Sequence, residues 1–160
     1  MSSICIIDTS VFLNLLNVPS KNQDKEKIIE SFENYVDLGA TFILPMATII
    51  ETGNHISQNG DGGTRRKTAL RFCEAITGAF NGDAPYQPSE FPNSAEVLEW
   101  IDKFPALAGM NKSANKPNEG TSFGDLSIIE EFNKCIIRFS MREVFIWSLD
   151  SDLVAYHQQR

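Results

Sequence analysis

Apolar residues fall along the chain in two kinds of run. Three runs are short and continuous: Ile4-Cys5-Ile6-Ile7, Thr41-Phe42-Ile43-Leu44 and Val144-Phe145-Ile146-Trp147. Unbroken apolar stretches of this kind, rich in β-branched and aromatic residues, suit strands buried on both faces, as in a parallel sheet. The others recur at helical spacing. Val11, Phe12, Leu15 and Leu16 define a first helix, with Thr9 or Ser10 placed to cap it. Ile28, Ile29, Phe32, Tyr35 and Val36 mark a second over 23–38, closed by Gly39. Further helices are predicted over 46–55, 64–80, 94–104 (Ser94 as cap) and 123–137, with a short one after Asp152. Residues 59–63 form the clearest turn, and 105–122 read as a loop. Strands alternating with helices predict an α/β fold with a central parallel sheet. No internal repeat breaks the chain, so residues 1–160 are expected to form one domain, with a helical and loop elaboration over 60–120.

Acidic positions follow each strand. Asp8 comes directly after the first, Glu51 lies in the helix that opens after the second, and Asp150 comes just after the third. Ligands of open parallel sheets bind outside the carboxyl ends of the strands. A fourth acid, Asp125, occupies the first turn of the 123–137 helix, where the helix dipole also favours a carboxylate. Carboxylates gathered at one edge repel one another unless a cation neutralises them, and hard divalent ions prefer such oxygen donors. Mg²⁺ or Mn²⁺ held there would suit phosphodiester hydrolysis, by activating water and shielding the phosphate. Nothing in the chain has the pattern of a covalent nucleophile. A phosphotransferase built on Asp8 is disfavoured, because the second aspartate expected two residues on is Ser10.

Asp8-Thr9-Ser10, Glu51 in "MATIIETGNHI", Asp125 in "SFGDLSIIEEF" and Asp150 in "FIWSLDSDLVAY" together resemble the four acidic motifs of the PIN-domain nucleases. The resemblance extends over almost the whole chain. It implies a three-layer α/β/α sandwich and an Mg²⁺- or Mn²⁺-dependent endoribonuclease. Asp8, Glu51, Asp125 and Asp150 would be the catalytic carboxylates, with Asp8, Asp125 and Asp150 as metal ligands. Ser10, Ser148 and Asp152 would be accessory. Many small relatives are toxins of VapC-type toxin–antitoxin pairs, which implies RNA and an antitoxin protein as partners and a homodimer as an assembly. Two departures are expected. Little chain remains after Asp152 for a further edge strand, and the stretch from Gly60 to Gly120 is longer than in the smallest relatives. The competing expectation is a catalytically inactive PIN-like module that binds RNA or protein.

Composition narrows these expectations. The 160 residues are 42% hydrophobic and 22% charged, enough for a sizeable core. Net charge is −7 with both histidines neutral, so the overall field does not attract nucleic acid and any affinity must be local. The one dense basic group, Arg65-Arg66-Lys67, is a candidate substrate contact. Lys112 and Lys116 are weaker candidates for phosphate, and Phe123 for base stacking. His55, four residues after Glu51, is expected to be structural. Cys5, Cys73 and Cys135 are widely separated and read as reduced core residues rather than a disulfide or zinc framework. The start, MSSICIIDTS, has neither a cationic segment before its apolar run nor a small-residue cleavage pattern after it. No run approaches the length of a membrane span. A cytoplasmic protein without a membrane partner is expected.

Overall fold

The structure is a computed structural model and describes residues 2–159. Its elements in chain order are β1 (Ile4–Ile7), α1 (Thr9–Leu15), α2 (Lys25–Asp37), β2 (Thr41–Leu44), α3 (Met46–Ser57), α4 (Gly62–Asn81), β3 (Tyr86–Pro88), α5 (Ser94–Gly109), α6 (Phe123–Arg138), β4 (Val144–Trp147), α7 (Ser151–Val154) and β5 (His157–Gln158). The strands form one sheet in the order β3-β2-β1-β4-β5. Its first four members are parallel, and β5 runs antiparallel to β4. The fold is therefore α/β around a mostly parallel five-stranded sheet, as the strand–helix alternation predicts.

The continuous apolar runs are explained by burial on both faces. Every residue of β1 is fully buried. Alternate side chains enter two different cores, because successive strand residues point to opposite faces. Ile4 and Ile6 join Ile128, Phe132 and Cys135 of α6 and Leu153 of α7. Cys5 and Ile7 join Val11 and Phe12 of α1, Ile28 of α2 and Trp147 of β4. Aromatic contacts hold α2 in place. Phe32 lies 4.8 Å from Phe42 and stacks on Trp147, while Tyr35 meets Trp147 edge-on at 5.1 Å. β1 is the middle strand, so the residue that follows it emerges at the centre of the sheet's carboxyl edge.

Several boundaries differ from expectation. Asp8, rather than Thr9 or Ser10, caps α1, its carboxylate accepting from Ser10 N. Asn93 rather than Ser94 caps α5, and Gly62 and Gly63 belong to α4, whose cap is Asp61. α5 continues through Pro105 to Gly109, where a loop was expected. The proline forfeits one helical hydrogen bond. Trp100 and Phe104 secure the helix before it by packing on Phe123, and the Thr121 N–H secures it afterwards by donating to Leu107 O at 3.2 Å. Two strands had no apolar signature to announce them. β3 is a three-residue edge strand containing Pro88, and β5 is two exposed residues supplying the edge strand for which little chain had been expected. Cys73 is exposed and so is not a core residue; Cys5 and Cys135 are. Among the described residues no helix is long and apolar enough to cross a membrane.

Candidate functional site, a carboxylate cluster held by two lysines

Asp8 sits where β1 gives way to α1 and is only 5% exposed. Its backbone N–H donates to Trp147 O at 3.0 Å, fixing the ends of β1 and β4 together. Its Oδ2 accepts from Ser10 Oγ at 2.7 Å and from Ser148 Oγ at 2.8 Å, with the Ser10 N–H further off at 3.4 Å. Each hydroxyl is itself held by an amide of the β4–α7 turn. Ser10 Oγ accepts from Leu149 N at 3.0 Å and Ser148 Oγ from Asp150 N at 2.9 Å. A hydroxyl that accepts from a fixed amide has its proton aimed elsewhere. Both protons are thereby directed at one oxygen of Asp8. Among the described residues nothing donates to the other, Oδ1.

Asp150 caps α7, accepting from Asp152 N on Oδ1 at 3.0 Å. Asp125 lies in the first turn of α6, its own N–H capped by Ser122 Oγ at 3.0 Å. Both acids therefore have the local helix-start role that sequence allows, in addition to any other. Glu51 reaches in from α3. Its Oε2 accepts from Thr9 Oγ1 at 2.8 Å, and its Oε1 lies so close to Gly124 that a Cβ there would overlap it. Burial pushes the Glu51 carboxyl above its ordinary range. The Thr9 bond opposes this, and the charges of Asp125 and Asp8 add to it.

Two lysines of the 110–122 loop enter this cluster. Lys112 Nζ lies 2.6 Å from Asp125 Oδ2, 3.4 Å from Asp150 Oδ2 and 3.9 Å from Asp152 Oδ2, with a side chain only 7% exposed. Lys116 Nζ lies 3.0 Å from Asp150 Oδ1 and 2.9 Å from Asp152 Oδ2. Burial works to discharge Lys112, but the bond and charge of Asp125, then Asp150, outweigh it and hold the ammonium above its usual pKa. Lys116 is raised chiefly by its bonds to Asp152 and Asp150. Asp150 is held below the usual carboxylate range: burial works the other way, and the Asp152 N–H and the two ammonium groups overcome it. Asp152 Oδ2 is buried and accepts no well-aligned hydrogen bond from the described residues, despite Lys116 nearby.

The loop carrying the lysines is clamped at its end. Lys112 N donates to Glu119 O at 2.6 Å, and Gly120 crosses the backbone of Ala108 so closely that a Cβ there would strike the Ala108 carbonyl. Gly120→Ala is expected to push the loop off α5, at a cost of about 1–3 kcal/mol for overpacking against rigid backbone. Amide hydrogen exchange over 110–121 should accelerate while that of β1 stays unchanged. Unchanged exchange in the loop would show that this contact does not hold it.

The carboxylates expected to act together thus lie in one neighbourhood, with Ser10, Ser148 and Asp152 among them. Asp125, Asp150 and Asp152 face the ammonium groups while Asp8 and Glu51 are held by hydroxyls, and among the described residues no three acidic, histidine or cysteine side chains are disposed to hold one metal ion as they stand. Arg65, Arg66 and Lys67 are not part of the cluster. They open α4 beside the 58–61 turn, where Arg65 bonds Gly60 O. His55 also lies outside it, with burial and then Lys21 holding its imidazole below the usual range. Sequence reasoning missed Thr9 as the donor to Glu51, Gly124 as the space Glu51 occupies, and the lysines as partners of the carboxylates. The one available signal was two lysines four apart in a loop that precedes an acidic helix start. No family model, curated protein or solved structure matches the chain.

Proposed function

We propose that the protein is an Mg²⁺- or Mn²⁺-dependent endoribonuclease of the PIN class, with the three-layer α/β/α sandwich of that class. The observation that carries this reading is that Lys112 Nζ sits between Asp125 and Asp150, whose turn is hydrogen-bonded through Ser148 and Ser10 to Asp8. A positive charge is thus already accommodated where three separated segments bring their acids. The donor set is one of hard oxygens that already balances the ammonium charge of Lys112 and Lys116, so in donor type the residues suit a divalent ion. Asp8 through Oδ1, Asp125 and Asp150 would hold it once the lysines withdraw. The bound ion would supply charge neutralisation at phosphate and a water of lowered pKa.

The chain's own contribution is orientation and field. Ser10 and Ser148 lock Asp8 through Oδ2 and leave Oδ1 without a donor among the described residues, and Glu51 adds negative charge against Asp8 and Asp125 that favours cation uptake. Lys112 and Lys116, displaced from the carboxylates, would remain beside an incoming phosphate. The toxin half of a toxin–antitoxin pair is the setting this resemblance offers, with an antitoxin and a second copy as protein partners.

Cleavage of a mixed RNA pool with Mn²⁺ tests the reading. Asp8→Asn should slow it at least about 100-fold, the upper end of what losing a metal's outer-shell partner costs. A parent protein inert with both ions, or an Asp8→Asn variant as fast as the parent, would sink it. A second reading is favoured by the same lysines. Ammonium groups that neutralise the carboxylates permanently would leave a non-catalytic PIN-like module binding RNA or protein.

A further inference from the structure

The lysines reach the carboxylates from a segment with an unusual attachment. We propose that residues 112–119 are an autoinhibitory strap that closes on the cluster as a tethered substitute for a divalent cation and swings away when one binds, a regulatory assignment that rests on the metal part of the nuclease reading. Three observations carry it.

The strap is bonded to itself and, apart from its lysines, to nothing else. Lys112 N donates to Glu119 O at 2.6 Å, Lys116 N to Ser113 O at 3.0 Å and Glu119 N to Lys116 O at 3.4 Å. Among the described residues, every hydrogen bond from 112–119 to the rest of the protein is made by the Nζ of Lys112 or Lys116. No apolar side chain anchors the segment, since Ala114 and Pro117 are exposed, as are Asn115, Asn118 and Glu119. Its ends are fixed side by side on α5, where Met110 N donates to Ala106 O and Thr121 N to Leu107 O. A unit held in this way opens by giving up its ion pairs, while its internal bonds and both ends stay in place.

The exchange of cations is even in charge. Two ammonium groups bring to Asp125, Asp150 and Asp152 the charge that one divalent ion would bring. Lys112 Nζ, 2.6 Å from Asp125 Oδ2 and 3.4 Å from Asp150 Oδ2, stands where an ion shared by those oxygens would stand. The two occupants exclude each other. A ligand shifts an equilibrium by its preference for one state, and here the cation's preference is for the open one.

Closure also carries a cost. Ser113 Oγ is buried beneath the strap, and among the described residues nothing bonds it. Opening returns that hydroxyl to water, so the closed state is held by the lysines against a standing penalty.

Trypsin reads the strap, because it cuts after a lysine only when that side chain is free to enter its pocket. The bond after Lys112 leads to Ser113, whereas the bond after Lys116 leads to Pro117 and resists the protease. In EDTA the cut after Lys112 should be slow, since it follows the population of the open form. Saturating Mg²⁺ should speed it at least about tenfold and should not speed cuts elsewhere in the chain. Lys116→Ala, at a part-exposed position, should raise the EDTA rate about threefold, and Lys116→Arg, which restores the charge, should return it to that of the parent. Mg²⁺ uptake, measured as heat, with no change in the cut after Lys112 would overturn the strap and leave the nuclease to its own assay. Opening by Mg²⁺ in a protein that cleaves no RNA would keep the strap and remove the nuclease. A parent and a Lys116→Ala variant that both take up no Mg²⁺ would overturn both.

Discussion

Lys112→Met in metal-free buffer is expected to unfold about 6–20 °C below the parent, and Mn²⁺ is expected to return most of that loss. Methionine keeps the apolar stem that lies in the cluster and removes only the ammonium. What remains is Asp125 stripped of its cation, with Asp150 and Asp152 left to Lys116 alone, in a site where the lost group was 7% exposed. Stripping the partner from buried charge costs about 3–5 kcal/mol. In a domain of this size each kcal/mol moves the melting temperature by about 2–4 °C. A divalent ion replaces the missing charge, so its affinity should rise at least about tenfold over the parent, in which it must first expel Lys112. Lys116→Ala should cost less, because its side chain is 31% exposed and solvent already screens it.

The pH dependence has a definite sign. Asp150 is held low in the folded parent, so its contribution is present above the unfolded pKa and is lost as pH falls through the folded one. Lys112→Met loses part of that depression, and its deficit against the parent should shrink in acid, where the carboxylates are neutral in both proteins. Thermal melts across pH with EDTA or Mn²⁺ read all of this. A variant destabilised but indifferent to Mn²⁺ would favour the non-catalytic module, because the cluster would then be built for lysine and nothing else.

The contrast between what the sequence disclosed and what it concealed follows from how each feature is encoded. β1, β2 and β4 were legible because burial on both faces demands unbroken apolar runs, and the acids after them were legible because strand ends are where a parallel sheet binds ligands. β5 was not, since two exposed residues such as His157 and Gln158 pair through backbone alone. Pro105 misled because its usual meaning as a helix stop was overridden by tertiary packing of Phe104 on Phe123. Lys112 was hidden for a different reason. A loop lysine's usual place is in solvent, and only the closure of the loop onto α5 at Gly120, a contact between distant backbones, brings it to Asp125. Gly124 is the most concealed, because its importance lies in an atom that it lacks.

Gly124→Ala should therefore destabilise the protein, against the direction that helix propensity dictates. Gly124 lies in the first turn of α6, where alanine is ordinarily better than glycine by about 0.5–1 kcal/mol. Here the new methyl would overlap Glu51 Oε1. Either α6 moves away from α3 or Glu51 swings out and surrenders its bond from Thr9 Oγ1. The carboxylate is the far end of a flexible side chain, so the swing is the easier course, and the hydrogen bond it surrenders costs about 1.5–3 kcal/mol. If the nuclease reading holds, the cleavage rate should fall about 100-fold, the loss that a displacement of about 1 Å imposes on a positioned site, because either course moves Glu51 relative to Asp125. Glu51→Asp, one methylene shorter, withdraws the carboxylate from the methyl. Combined with Gly124→Ala it should recover stability, giving a coupling energy of about 0.5–3 kcal/mol in a double-mutant cycle. It should not recover the rate, since the carboxylate no longer stands against Asp8 and Asp125. Denaturant melts of the four proteins measure the coupling, and strictly additive effects would mean that Gly124 and Glu51 do not share the space the structure gives them.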